Sequence, residues 1–178
     1  MIPIPACLAE FQKEDVRTIL AADSPKVYTL GVGNGKTLVA LTVAAGWLSL
    51  GQVDHVLVLA PKSTLDRTWK DQLAQYYPDV TSAVISGDTP RPKRKKVWDN
   101  PPQIVVANWH TISNEYDYDL LAEDPLAWGV IGDESHILSN PSTNLAQSFR
   151  ATRKARSLLM TGTLLDKSPM DVYGQLTA

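Results

Sequence analysis

The chain has 178 residues and a net charge of −2, with 44% hydrophobic and 20% charged residues. That length suggests one domain, able to bury about 70% of its unfolded surface without a metal or disulfide staple. The near-neutral balance excludes a globally basic surface, so any nucleic-acid contact has to be local. The lone cysteine, Cys7, excludes an internal disulfide and fits a reducing compartment. Lying in a leading apolar segment, it reads as inert filler. Met1 to Phe11 has prolines and no basic start, unlike a secretion signal, and no apolar run is long enough to span a membrane. The expected setting is intracellular, cytoplasmic or nucleus-equivalent, and not secreted, with no membrane partner.

Residues 1–10 read as an irregular lead-in. Apolar residues at 11, 16, 19 and 20 predict a helix opened by Phe11 and Gln12. The turn Ala21 to Lys26 leads to a short strand, Val27 to Leu30. Leu30-Gly31-Val32-Gly33-Asn34-Gly35-Lys36-Thr37 follows, and then a helical run from Leu38 to Leu48, with Gly51 as its cap. The continuous apolar run His55 to Ala60 has the pattern of a strand buried on both faces of a parallel sheet. Pro61-Lys62-Ser63-Thr64 breaks it, and Ser63 is a candidate cap for a helix through Leu65, Trp69 and Leu73. Ser82 to Ile85 predicts another strand. Thr89 to Trp98 carries Lys or Arg at five positions. This cluster is either a nucleic-acid backbone contact or a solvated face, and charge runs favour the solvated face. Further strands are expected over Ile104 to Asn108, Trp128 to Gly132 and Ser157 to Met160. Glu115 to Pro125 reads as acidic and irregular, and helices are expected over Thr143 to Lys154 and from near Pro169. Strands alternating with helices predict an α/β fold: a mainly parallel sheet covered on both faces, with ligands at the strands' C-terminal edge.

Two constellations carry chemistry. Strand, glycine-rich loop and helix are the context of a phosphate-binding loop. Gly31, Gly33 and Gly35 let backbone N–H groups approach phosphate, and the helix that follows offers its positive end. Lys36 would reach the β- and γ-phosphates, and the Thr37 hydroxyl would hold Mg²⁺. The usual G-x-x-x-x-G-K-[ST] pattern has its first glycine where Leu30 stands. The second constellation is Asp133-Glu134-Ser135-His136 at the end of an apolar strand. There Asp133 would complete the Mg²⁺ shell and Glu134 would polarise the attacking water. Trp47, Trp69, Trp98 and Trp128 read as packing residues, and His55 as structural. His110 reads equally as a DNA-path residue or a partly buried one. One cysteine and three scattered histidines give no zinc pattern.

Phe11-Gln12, Gly33-Asn34-Gly35-Lys36-Thr37, Ala60-Pro61-Lys62-Ser63, Asp133-Glu134-Ser135-His136 and Thr161-Gly162-Thr163 stand in the order of superfamily 2 helicase motifs. From about residue 8 to the end, the chain resembles the first RecA-like lobe of the SWI/SNF-type branch of DNA-dependent ATPases, its annealing-helicase-like members in particular. The resemblance implies a RecA-like P-loop NTPase domain that uses ATP and Mg²⁺. By it, Gln12 reads adenine, and Gly33, Asn34, Gly35, Lys36 and Thr37 hold phosphate. Thr37 and Asp133 hold the metal, while Lys36, Glu134 and His136 are the catalytic set. His136, Thr161 and Thr163 couple the nucleotide site to a second lobe. Lys62, Ser63, Trp109 and Thr111 lie near a DNA backbone, a contact that positions without reading sequence.

Three departures accompany the resemblance. Acidic residues usual in this branch are replaced by Leu30 and Gly31. The segment after His136, Ile137-Leu138-Ser139-Asn140, is uncharged where the family tends to be basic. The residues span a single ATP-binding lobe, 1–178, so a second RecA-like lobe is expected elsewhere in a longer protein or in a partner chain, with duplex DNA as the track. Two other functions use related parts. One is the motor lobe of a restriction-type DNA translocase, and the other is a lone nucleotide-sensing module that regulates without turnover.

Overall fold

A computed structural model describes residues 4–22, 26–31, 33–114, 117 and 128–162. Six parallel strands form one sheet: β1 (Lys26–Thr29), β2 (His55–Ala60), β3 (Ser82–Ile85), β4 (Ile104–Asn108), β5 (Trp128–Gly132) and β6 (Arg156–Thr161). Their spatial order is β1-β6-β5-β2-β4-β3. The helices are α1 (Glu10–Ala21), α2 (Lys36–Ser49), α3 (Asp71–Tyr76), α4 (Arg91–Asp99) and α5 (Asn144–Ala151). No described helix is long and apolar enough to cross a membrane. The expected α/β architecture with a RecA-like parallel sheet is observed.

Side-chain alternation along each strand divides the core into two layers. Val56, Val58 and Ala60 of β2 pack with Ile104, Val106, Ile131, Leu158 and Met160 against α1 and α2. The intervening residues Leu57 and Leu59 pack with Val105, Ala107, Val130 and Leu159 on the other face, beneath α4 and α5. Because both faces are covered, β2, β4 and β5 are apolar without interruption. Helix α2 lies between α1 and the sheet, and everything from Val39 to Trp47 is buried, as an all-round apolar helix requires. Close packing fixes several glycines. A Cβ at Gly129 would lie 2.8 Å from the Trp47 ring, and one at Gly132 would lie 2.7 Å from the Trp109 ring.

Local details differ from expectation in physically informative ways. Ser63 caps no helix. Lys62–Thr64 is a 3-10 turn entered from Pro61, and Leu65–Lys70 is a wide turn of π type that runs into α3. The broad turn carries Leu65 and Trp69 into the core, where both are buried. Gly51 does adopt a left-handed conformation, φ 64°, just past α2, which suits a glycine there. Helix α5 is shorter than expected, with Thr143 accepting from the Ala146 N–H as its N-cap and Thr152 at its other end. Cys7 is exposed, so it fills no core. The helix expected near Pro169 lies outside the described residues.

The basic cluster is only partly a solvated face. Arg94 is buried within it, with its guanidinium against Asp117 at 3.1 Å and its Nη1 donating to the Thr89 carbonyl. Trp98 Nε1 also donates to Asp117, at 2.9 Å. Removing the carboxylate would leave a buried cation and a buried indole N–H without their acceptor. Asp117→Ala is therefore expected to lower the unfolding free energy by about 3–5 kcal/mol. Lys95→Ala breaks an exposed pair with Asp99 and should change it by less than about 1 kcal/mol. Urea unfolding of both variants checks the contrast, and equal losses would refute the buried-pair account.

Candidate functional site

Parallel pairing sets the site's location. Strand β1 pairs with β6, Thr29 opposite Thr161, and β6 pairs with β5, Leu159 opposite Gly132. The segments leaving β1, β5 and β6 therefore emerge side by side at one sheet edge. They are the glycine-rich loop, Asp133-Glu134 and Thr161-Gly162.

Within the loop, Gly33 and Gly35 have φ of 81° and 76°, a region in which a Cβ is costly. Gly35 is the N-cap of α2, and Lys36 and Thr37 are its first residues. The Lys36 ammonium donates to the carbonyls of Leu30 at 2.8 Å and Gly31 at 3.3 Å. Gln12 lies against the same loop. Its Nε2 donates to the Asn34 carbonyl at 2.8 Å, while its Oε1 accepts the Ala9 N–H at 2.9 Å. A Cβ on Gly35 would fall 2.8 Å from that amide nitrogen. The glutamine thus ties the start of α1 to the loop.

Asp133 is almost buried, 7% exposed. Burial raises its carboxyl pKa, while the hydrogen bond from Trp69 and the charge of Lys36 oppose that rise. Oδ1 accepts the Glu134 N–H at 3.0 Å and Oδ2 accepts from Trp69 Nε1 at 3.2 Å. The main chain is anchored as well, since the Asp133 N–H donates to the Leu59 carbonyl and its own carbonyl accepts from Trp109 Nε1 at 2.7 Å. Glu134 follows at φ 53°, ψ 48°. It is the one non-glycine residue with positive φ among those described. Its carboxylate lies 3.3 Å from His136 Nδ1, and both side chains are accessible to solvent. A left-handed glutamate is a strained arrangement of the kind that collects at functional sites.

The 3-10 turn Ser135–Leu138 carries His136 and packs against β6, in which Thr161 is fully buried. Thr163 lies outside the described residues. Lys62 and Ser63 are exposed, with Lys62 paired to Asp88. Trp109 and Thr111 are corrected by the structure. Trp109 is 3% exposed and holds the Asp133 carbonyl, and Thr111 is buried with its hydroxyl donating to Asn108 Oδ1. Beside them, a cavity of about 330 Å³ is lined by Pro61, Lys62, Glu134, His136 and Ile137, among others. His110 is exposed at its rim. His55 is structural, its Nδ1–H donating to the Pro102 carbonyl and its ring lying 5.2 Å from the Trp128 ring.

Sequence reading assigned Trp69 to packing alone and missed its bond to Asp133. A signal existed, because a buried indole N–H needs an acceptor, but nothing local named the acceptor. The donors present suit a nucleotide with Mg²⁺. A left-handed glycine loop opens a helix, and a lysine acts electrostatically on an aspartate from the neighbouring segment. No cluster of three or more metal-ligating side chains occurs among the described residues. Mg²⁺ is commonly held by one or two protein groups together with phosphate oxygens and water.

The chain has recognisable relatives among known proteins. The chain is 27% identical over 180 residues to the Saccharomyces cerevisiae ISWI chromatin-remodeling complex ATPase ISW1, covering 95% of this chain and 14% of that protein. It is 25% identical over 180 residues to the Bos taurus DNA excision repair protein ERCC-6-like, covering 93% and 14%. The chain thus spans about one seventh of the length of these relatives. The fold superposes on the Sulfolobus solfataricus SWI2/SNF2 ATPase core in complex with dsDNA with a TM-score of 0.84 at 21% identity, over 98% of this chain and 36% of that one. The SNF2-related domain family matches residues 29–177, and the chain belongs to that family.

Proposed function

We propose that this chain is the ATP-binding lobe of a DNA-dependent ATPase of helicase or translocase type, coupling Mg-ATP binding and hydrolysis to movement on DNA. The observation that carries the reading is the convergence of Lys36, Thr37, Asp133 and Glu134 from separate segments at one sheet edge. Bound Mg-ATP supplies the phosphoryl group and the metal charge that neutralises it. Lys36 exchanges its bonds to the Leu30 and Gly31 carbonyls for phosphate oxygens. Thr37 and Asp133 hold Mg²⁺, Glu134 orients the attacking water, and Gln12 reads adenine while steadying the loop. His136, next to Glu134, passes the state of the site to Thr161, Thr163 and a second RecA-like lobe, in the same protein or in a partner chain. That lobe supplies an arginine finger, a group worth about 10³–10⁵ in turnover. The named relatives are a chromatin-remodeling complex ATPase and the DNA excision repair protein ERCC-6-like, and the structural neighbour is an ATPase core in complex with dsDNA. These support duplex DNA as the track. Lys62 and Ser63, exposed near the cavity, are the candidate backbone contacts on this lobe.

Calorimetric titration with Mg-ATP and steady-state hydrolysis with and without duplex DNA test the reading. Wild type should bind Mg-ATP. Lys36→Ala should bind about 10- to 100-fold more weakly, the loss expected for a charged hydrogen bond to phosphate. Glu134→Gln should bind normally while losing about 10²–10⁴ of whatever turnover the assembled enzyme shows. Equal binding by wild type and Lys36→Ala would overturn the proposal.

Strain at Glu134 makes a separate prediction. Glu134→Gly relieves the left-handed conformation and should raise the unfolding free energy by about 1 kcal/mol while abolishing turnover. A thermal melt of this variant that is clearly lower than wild type would show that the conformation is not a strained one.

A further inference from the structure

We infer that Trp69 is a positioning residue that holds the Asp133 carboxylate in the orientation needed to bind Mg²⁺. This rests on the reading of Asp133 as a metal-binding residue and adds to it a group outside the recognised site. Four bonds fix Asp133 from different directions. Among the described residues, Leu59 and Trp109 hold its main chain, the Glu134 N–H holds Oδ1, and the Trp69 indole holds Oδ2. Without the indole, the carboxylate can still turn about its side-chain bonds, because a single bond at Oδ1 does not fix a plane. The indole is itself immobile. Trp69 is completely buried, packed with Leu65 and Leu73 in the layer beneath α2. It is delivered by the wide turn Leu65–Lys70, and turns of this type recur at functional sites. An indole N–H is a donor only, so it favours a carboxylate oxygen that accepts and leaves the remaining lone pairs for the cation. Groups that orient a metal ligand in this way typically contribute about 10- to 100-fold to metal affinity.

The test is nucleotide binding, read with the fluorescent analogue mant-ADP and the full 178-residue chain. Wild type is titrated with Mg²⁺ at fixed mant-ADP, and with mant-ADP in EDTA. Trp69→Phe keeps an aromatic ring and deletes the donor. It should shift the Mg²⁺ midpoint upward by about 10-fold or more, with mant-ADP affinity in EDTA unchanged. Leu73→Ala loosens the same layer without touching Asp133 and should leave the midpoint where it is. A wild-type midpoint in Trp69→Phe, or an equal shift in Leu73→Ala, overturns the inference. Wild-type binding that ignores Mg²⁺ overturns the metal reading beneath it, a different result. Should Trp69→Phe not fold, the indole ¹⁵N–H peaks of wild type decide. Of the five tryptophan peaks, that of Trp69, identified by sequential assignment, should shift when Mg²⁺ joins bound ADP, and an unmoved Trp69 peak overturns the inference.

Discussion

Parallel pairing of β5 with β6 and of β6 with β1 brings together three segments that are far apart along the chain. Each strand points the same way, so each releases its following loop at the same edge of the sheet. The glycine-rich loop after β1 thereby meets the acidic turn after β5, and the charge of Lys36 acts on the carboxyl of Asp133. The pairing depends in turn on helices covering both faces. Parallel strands need a crossover each time, and α2, α3, α4 and α5 stand in the connections between them.

Beneath that edge the core carries aromatic rings on both faces of the sheet. Trp69 belongs to one layer, and Trp109, with Phe149 at 5.7 Å, belongs to the other. One indole reaches Asp133 from each side of the sheet, the first at its carboxylate and the second at its carbonyl. Large rigid rings supply apolar burial and a directional donor from the same side chain. Packing and site geometry thus meet in the same two side chains, each of which fills a layer and bonds the aspartate. Gly132 fits this arrangement, because the Trp109 ring occupies the space where a side chain would stand.

The accessible part of the site is built differently. Glu134 and His136 are only half covered, lie in a turn, and face a cavity rather than the core. Asp133 is fixed by four bonds among the described residues, whereas Glu134 stands in a strained backbone conformation just beyond it. A rigid buried carboxylate beside a strained, solvent-facing one suits a site whose inner part is preorganised and whose outer face engages something else.

The strands were legible in the sequence because their signal is local. His55 to Ala60, Ile104 to Asn108 and Trp128 to Gly132 are uninterrupted apolar runs, and all three appear with those bounds. The glycine-rich loop and the acidic strand end were legible too, since phosphate chemistry demands particular residue types at fixed spacing. The sequence alone thus determined the α/β class, the succession of its strands and the residues proposed for a nucleotide site. Tertiary structure decided which groups those residues meet. It turned Trp109 and Thr111 inward, buried Arg94 against Asp117 within a run of charges, and gave Trp69 an acceptor sixty-four positions away. The physical reason is that backbone pattern is set by neighbours along the chain. The partner of a buried donor is set instead by whatever the fold brings within about 3 Å, and no local run of residues names it.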